Sequence, residues 1–93
     1  MSKDILLTIQ TPLKKILEKK VAKVVIPAFA GKLTILPDRA PSEILLKDGV
    51  LAILDENAEV LEEYEIGKGV ADVAGNICNI YVDLAQNIMR SDR

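Results

Sequence analysis

The chain has 93 residues, of which 49% are apolar, 28% charged and 3% aromatic, and its net charge is −2. This length predicts one domain over residues 1–93, with a core at about 5–85 and a frayed tail at 86–93. The scarcity of aromatic side chains and the absence of excess positive charge argue against a nucleic-acid-binding protein. The core is expected to consist of Ile, Leu, Val and Ala side chains.

The charges are distributed unevenly along the chain. Nine basic and four acidic residues precede Asp48, whereas three basic and ten acidic residues lie from Asp48 onward. This division indicates either two solvated faces or a dipolar surface that orients the domain within an assembly. Composition leaves both interpretations open.

Cys78 is the single cysteine, so no internal disulfide is possible, which is typical of an intracellular protein. It lies in an apolar run, where a thiol usually serves as a small core side chain. No segment resembles a signal peptide, and no apolar run approaches the roughly 20 residues of a membrane-spanning helix. Membrane association is therefore expected only through a partner.

The first third of the chain contains one clear strand and one ambiguous segment. Residues 5–9 are short and apolar, which predicts a strand that ends at Thr11 and Pro12. The apolar spacing over 13–24 fits an amphipathic helix with Thr11 as N-cap and Pro12 at its first position. Residues 23–27, however, make a better strand end than a helix end, so both structures remain open.

The middle of the chain indicates strands separated by turns. Residues 31–36 predict a strand, which Pro37 ends because proline has no N–H for the next ladder bond, and 38–40 predict a surface corner. A short apolar run at 44–47, the turn signal Asp48-Gly49 and a strand at 50–54 follow. After a polar loop at 55–59, residues 60–66 alternate like a strand with one wet face.

The last third begins with a bend at Gly67 and Gly69. Gly75 and Asn76 then predict the turn of a hairpin between strands at 70–74 and 77–82. A helix capped by Asn76 and extending towards Ile88 is the alternative. In the tail we expect at most a short helix within 84–90.

Short runs with turn signals about every ten residues predict an all-β fold, a small antiparallel β-sandwich or barrel. Several strands are apolar on both sides, as at 24–26, 50–53 and 77–82. A sheet with one wet face alternates more strictly. Either both faces of these strands are covered within the domain, or one outer face meets a partner.

The residues that most enzymes use are absent or scattered. There is no histidine, which excludes Ser-His-Asp and Cys-His arrangements and most catalytic zinc sites. Neither a phosphate-binding loop nor a dinucleotide fingerprint occurs. A small enzyme would have to use Glu62, Glu65 and Asp72, and no nucleophile or base accompanies them in a motif. We therefore expect no enzyme, no metal and no cofactor.

The sequence G-K-L-T-I-L-P-D-R-A-P at residues 31–41 resembles the pattern G-x-L-x-I-L-P-x-H-A-P of the epsilon subunit of F-type ATP synthases. The likeness extends to L-T-I-Q-T-P from Leu7, to K-V-V-I-P-A from Lys23, and to the positions of Gly49 and Gly69. It covers about residues 5–85 of the chain.

This resemblance implies the amino-terminal β-sandwich of that family, with two short strands in place of a helix over 13–24. It also implies a non-catalytic rotor subunit of the central stalk. Such a subunit binds the gamma subunit and the ring of c subunits, and helps to couple ion translocation to ATP synthesis or hydrolysis. The protein would then lie at the cytoplasmic face of the cell membrane, held there by the complex.

The resemblance further implies two contact surfaces. The loop ahead of the strand at residues 31–36 is expected to lie at the c ring. The expected ring contacts are Phe29, Ala30, Gly31, Lys32 and Arg39. Outward apolar side chains are expected to face the gamma subunit, with these candidates: Leu36, Ala71, Val73, Cys78 and Ile80. The sequence does not decide which face of the 70–82 hairpin is the outer one.

Two departures limit what the resemblance carries over. Arg39 stands where the family pattern has histidine, so a role that needs an imidazole is not carried over. Family members generally have a carboxy-terminal helical hairpin that inhibits ATP hydrolysis and in some members binds ATP. The sequence through Arg93 does not include it, so neither activity is expected of these residues. The alternative function is an unrelated β-sandwich adaptor that binds another soluble protein.

Overall fold

The computed structural model describes residues 4–90, which form ten strands and no helix. No helix in this part of the chain therefore has the length and apolar character needed to cross a membrane. The strands are β1 (Ile5–Gln10), β2 (Lys15–Val21), β3 (Lys23–Ala28), β4 (Gly31–Ile35), β5 (Arg39–Leu46), β6 (Gly49–Leu54), β7 (Val60–Ile66), β8 (Gly69–Gly75), β9 (Ile77–Val82) and β10 (Ala85–Arg90).

Nine of the ten strands form one hydrogen-bonded path, β4 joins it by pairing with β3, and the whole sheet folds into two layers. In the first layer, sheet I, the order is β4-β3-β6-β7-β10, and in the second, sheet II, it is β5-β8-β9-β1-β2. The layers join where β3 passes from β6 to β5, through the pair Ala28 and Leu46. The described pairings are antiparallel except that of β1 with β9. The predicted all-β sandwich is thus confirmed.

The inner faces of the two sheets meet in an apolar core built largely from Ile, Leu and Val, as the composition predicts. Burial of one such side chain contributes roughly 1.5–3 kcal/mol to stability. The largest fully buried side chains come from both sheets and include Ile5, Leu7, Ile9, Ile26, Ile35, Leu46, Leu51, Ile53, Ile66 and Ile80. Neither sheet is therefore expected to stay folded without the other.

The helix that the spacing of residues 13–24 allows is wrong, and the two strands implied by the family resemblance are right. In β2, Leu17 and Val21 lie opposite the buried Ile9 and Ile5 of β1. Leu13, which a helical stripe would bury, is 93% exposed. A spacing of four residues returns to the same face in a strand as well as in a helix. Pairing with β1 decides between the two.

The turn at Asp48 and Gly49 forms where predicted, but the strands on either side of it do not pair with each other. β5 pairs with β8 and β3, and β6 pairs with β3 and β7, so the chain crosses from sheet II to sheet I at this turn. β5 also begins at Arg39, earlier than the predicted run at 44–47. Pro41 fits inside it because the register shifts between Arg39 and Ser42, and bulges tolerate proline.

The hairpin turn at Gly75 and Asn76 is confirmed. β8 and β9 pair along their whole length, and Gly75 has φ 60°, a conformation that glycine adopts without strain. The alternative helix from Asn76 towards Ile88 is therefore wrong.

The tail from residue 85 to 90 neither frays nor forms a helix, because β10 pairs with β7 from Ala85 to Arg90. The side chains of β10 are mostly exposed. Its order thus rests on backbone hydrogen bonds to the free edge of β7, which side-chain patterns do not reveal. Residues 91–93 of the predicted tail lie outside the described residues.

Candidate functional site

Each strand crosses the length of the sandwich, so successive connections alternate between its two ends. Five connections meet at one end, which we call the loop end: residues 11–14, 29–30, 47–48, 67–68 and 83–84. The other four connections lie at the opposite end. The connection at 29–30, which precedes the strand that carries the family pattern, is therefore one part of a surface made by five separate segments.

Backbone hydrogen bonds tie these connections to one another. Phe29 N donates to Leu45 O over 3.1 Å, which links the connection at 29–30 to the end of β5. Two further bonds of 3.1 Å join the connection at 67–68 with the one at 83–84. The loop end is thus a braced surface and not a set of independent loops.

The loop end presents large apolar side chains beside lysines. Leu13 is 93% exposed, Phe29 62% and Leu84 54%. The charged residues in and beside the five connections are mainly basic, with Lys14, Lys32, Lys47 and Lys68 set against Asp48 and Asp83. Exposed apolar groups with basic neighbours suit a contact with an acidic or polar partner surface.

Two glycines allow the connections to pack closely. A Cβ on Gly67 would lie 1.8 Å from Oδ1 of Asp83, and a Cβ on Gly69 would lie 1.9 Å from the carbonyl oxygen of Tyr81. Beside them a hollow of about 430 Å³ opens between Pro12 and the ends of β8 and β9. The surface of the loop end is therefore uneven as well as charged.

The structure brings together four of the five predicted ring contacts. Phe29, Ala30, Gly31 and Lys32 form the β3–β4 turn at the loop end, and Gly31 takes φ 127° there. Arg39 begins β5, whose other end reaches this turn, so it lies roughly 20 Å away. An eight-residue strand thus separates Arg39 from the turn, and a ring contact through Arg39 stays a prediction.

Four of the five predicted gamma-facing side chains are inside the molecule. Ala71, Val73, Cys78 and Ile80 are at most 1% exposed in the core, so they are not part of any surface. Leu36 is 48% exposed and remains a surface candidate. The assignment failed because both faces of β8 and β9 carry apolar residues. The face that carries these four side chains is the one that packs into the core.

Other apolar side chains point outwards, so the outer faces are not uniformly polar. On sheet I, Val50 and Met89 are about two-fifths exposed. On sheet II, Leu45, Ile77 and Tyr81 are 43–66% exposed. The expectation of a partner face therefore stays a prediction, with these residues in place of the buried four.

The acidic side chains considered for catalysis do not converge. Glu62 points into the sandwich and is 5% exposed, whereas Glu65 and Asp72 lie on the outer faces of different sheets. Within residues 4–90 no cluster of acidic or sulfur ligands could hold a metal ion. This arrangement offers no catalytic pair of carboxylates.

Glu62 instead holds together the open edge of the sandwich. Its carboxylate accepts a hydrogen bond from Lys19 Nζ of β2 at 2.5 Å and one from the hydroxyl of Tyr64 at 3.2 Å. Arg90 Nε of β10 lies 3.8 Å from Oε1, the carboxylate oxygen that also accepts the Tyr64 hydrogen bond. We call these four residues the edge clasp, because they connect sheet II to sheet I where no backbone bonds do.

The buried thiol of Cys78 is chemically inactive. Burial, and to a lesser degree the charge of Asp72, raise its pKa to about 12. A thiol that stays protonated at neutral pH neither attacks electrophiles nor binds metals. The prediction of a small core residue is consistent with this position.

Sequence reasoning missed most of the loop end. Leu13, Lys47, Lys68 and Leu84 are far apart in sequence and belong to no motif, but they share this surface with Phe29. The available signal was that large apolar residues stand in polar turns, where folding alone does not require them.

Comparisons with known proteins agree on one family. The family model described as "ATP synthase, Delta/Epsilon chain, beta-sandwich domain" matches residues 4–88. An ATP synthase epsilon chain of Rickettsia felis is 33% identical over 89 residues, which are 95% of this chain and 80% of that protein. An ATP synthase epsilon chain of Granulibacter bethesdensis is 33% identical over 82 residues, which are 88% of this chain. The chain spans 60% of the Granulibacter protein's length.

A solved structure shows the same fold. A chain in the cryo-EM structure of the Euglena gracilis mitochondrial ATP synthase, with OSCP, F1 and c-ring in rotational state 1, superposes with a TM-score of 0.81. The match covers 90% of this chain and 53% of that chain at 24% identity. At this identity the likeness is one of fold.

Proposed function

This chain belongs to the ATP synthase delta/epsilon chain family as its β-sandwich domain, and we propose that it is a central-stalk rotor subunit of an F-type ATP synthase. The observation that carries the proposal is the family match over residues 4–88, which includes the whole sandwich apart from its last two described residues. The subunit helps to couple ion translocation to ATP synthesis or hydrolysis.

The proposal assigns two partners to two surfaces. The loop end rests on the c ring, since it combines exposed Leu13, Phe29 and Leu84 with basic side chains such as Lys32. An outer sheet face with exposed apolar side chains binds the gamma subunit. A contact that transmits torque must last, and durable interfaces bury roughly 1,200–2,000 Å² or more in total.

The proposed role is structural and not catalytic. Glu62, Glu65 and Asp72 point to three different places, and Cys78 is a protonated core thiol. The protein acts at the cytoplasmic side of the membrane as part of the complex. Its link to the membrane runs through the c ring.

Co-purification tests the proposal directly. A tagged copy of the chain is expressed in its source organism, and the complexes it enters are isolated in mild detergent. We expect the tag to recover the gamma and c subunits together with ATPase activity. Recovery of a different soluble protein without ATPase subunits would instead support the adaptor alternative.

A further inference from the structure

β7 is paired on both sides, but it has the composition of an edge strand. Three of its seven residues are acidic: Glu63 and Glu65 point outwards, and Glu62 points into the sandwich. β2, which is an edge strand, likewise carries four charged residues among seven. The other strands that pair along both sides, β1, β3, β6, β8 and β9, carry at most one each. Charged side chains, including inward-pointing ones, protect a free strand edge from pairing with other chains. The sequence of β7 therefore suits an edge that becomes free.

β10, the strand that covers this edge, adds little to the core. Its first residue is partly buried and the other five are exposed, with Ile88 at 49% and Met89 at 38%. The register shifts between Asn87 and Met89, so the ladder to β7 is also interrupted. Within residues 4–90, the one side-chain hydrogen bond or ion pair from β10 to another strand joins Arg90 to Glu62, at 3.8 Å. β10 is thus held mainly by backbone bonds.

The buried carboxylate of Glu62 does not need β10. Its Oε2 accepts the hydrogen bond from Lys19 of β2, and its Oε1 accepts the one from Tyr64 of β7 itself. Both bonds remain when Arg90 moves away, so the departure of β10 leaves no buried charge without a partner. Undocking therefore costs the backbone ladder between β7 and β10 and only a little apolar burial.

The start of β10 is fixed at the loop end. Asp83 N donates to Lys68 O and Gly67 N donates to Leu84 O, both over 3.1 Å, so the connection at 83–84 is bonded to the one at 67–68. Gly67 lies so close to Asp83 that a Cβ would not fit between them. A segment that is anchored there and held by backbone bonds beyond the anchor opens from its far end, near Arg90.

We propose that β10 is a detachable strap, which undocks from β7 while β1 to β9 stay folded. The docked form is the one in the structure, and the open form is a minor population in equilibrium with it. Opening makes two elements available together. One is the free edge of β7, which can pair with another extended segment, and the other is the apolar pair Ile88 and Met89. The strap is a property of the sandwich and does not rest on the rotor function.

Native-state amide hydrogen exchange of the full chain tests the strap. We expect the amides that donate between β7 and β10 to exchange at least about 100-fold faster than those between β8 and β9, and to respond little to low urea concentrations. The matched control is β2, an edge strand that buries Val21 and packs Ile16 and Leu17 against the core. Its amides bonded to β1 should exchange more slowly than those of β10. If the β7–β10 amides exchange no faster than these, or only with global unfolding, the inference is overturned.

A reversible lock provides the second measurement. Glu65 and Gln86 stand opposite each other in the β7–β10 pair, so Glu65→Cys/Gln86→Cys can form a cross-strand disulfide, which mass spectrometry detects. In the oxidised protein the β7–β10 amides should become protected like those between β8 and β9, and reduction should restore their fast exchange. The reduced form controls for folding, since its β8–β9 amides should keep wild-type protection. Fast exchange that persists in the disulfide-bonded protein does not come from undocking and would also overturn the inference.

Discussion

Gly69 is a residue whose missing side chain shapes the loop end. A Cβ there would lie 1.9 Å from the carbonyl oxygen of Tyr81 and 2.8 Å from Cα of Val82, and both are backbone atoms of the paired strand β9. Neither can move without opening the β8–β9 ladder. The bend that the sequence predicted at Gly67 and Gly69 thus has a steric cause.

We expect Gly69→Ala to lower the free energy of unfolding by about 2 kcal/mol or more, since overpacking against backbone cannot be relieved by a rotamer change. Urea denaturation measures this value. Gly75→Asn is the matched control, because a Cβ at that position would have no atom within 4 Å and Asn tolerates φ 60°. Equal stability of the two variants would contradict the close approach at Gly69.

Cys78 provides a second prediction for a single residue. Since its pKa is raised to about 12, the native thiol should resist alkylation at pH 8 and react only after unfolding in denaturant. The burial of the neutral thiol contributes its full stability to the folded protein below pH 9, where the thiol is protonated in both the folded and the unfolded chain. This contribution is lost as the pH rises towards 12, because only the unfolded chain ionises there.

The accessible counterpart is Ile77→Cys in a Cys78→Ala background, since Ile77 is 48% exposed. This variant should react with iodoacetamide in the native state. Rapid labelling of native Cys78 would show that the core around β9 opens readily.

Among the elements, β2 and β10 depend most on features that side-chain patterns do not reveal. Both are edge strands, and the edge clasp connects β2 of sheet II with β7 and β10 of sheet I through Glu62. Glu62 is 5% exposed, so its carboxylate needs hydrogen-bond partners within the protein in place of water. The clasp therefore closes the sandwich on the side where β3 does not.

We expect Lys19→Met/Arg90→Met to destabilise the protein by about 1–2 kcal/mol, because it leaves a buried carboxylate unpaired. We expect a small loss of stability because Lys19 and Arg90 are partly exposed, and water screens part of their attraction to the carboxylate. Adding Glu62→Gln to this variant should recover part of the loss. Urea midpoints of the single, double and triple variants form the test, and strictly additive losses would refute the clasp.

Across the whole molecule, the connections at the two ends differ in charge, whereas the two halves of the sequence do not form separate faces. The basic first half and the acidic second half both contribute strands to each sheet, so they do not form two opposed faces. The connections at the opposite end carry acidic residues, among them Asp38, Glu56 and Glu59, while those of the loop end carry lysines. This difference favours contact of an acidic surface with the loop end over contact with the opposite end.

We expect Lys32→Glu/Lys47→Glu to weaken attachment to the c ring and to reduce ATP-driven ion pumping in membranes that carry the complete complex. Exposed charges contribute up to about 1 kcal/mol each. The affinity for the ring should therefore fall about tenfold at low salt and less at moderate salt. Lys23→Glu, at the opposite end, should leave pumping unchanged. Normal pumping by the loop-end variant at both salt concentrations would show that these lysines do not contribute to a ring contact.

The sequence by itself determined the fold class, most of the strands and the turn at Gly75. Turn residues and period-two alternation act locally, and the run at residues 31–41 identified the family. Tertiary structure alone decided three other features. Pairing with β1 chose strands over a helix in residues 15–21, the free edge of β7 ordered β10, and sheet stacking chose which face of β8 and β9 is buried. Each of these three features depends on which strand or which sheet lies next to the segment concerned. The local sequence pattern does not specify that neighbour when both sides of a strand are apolar.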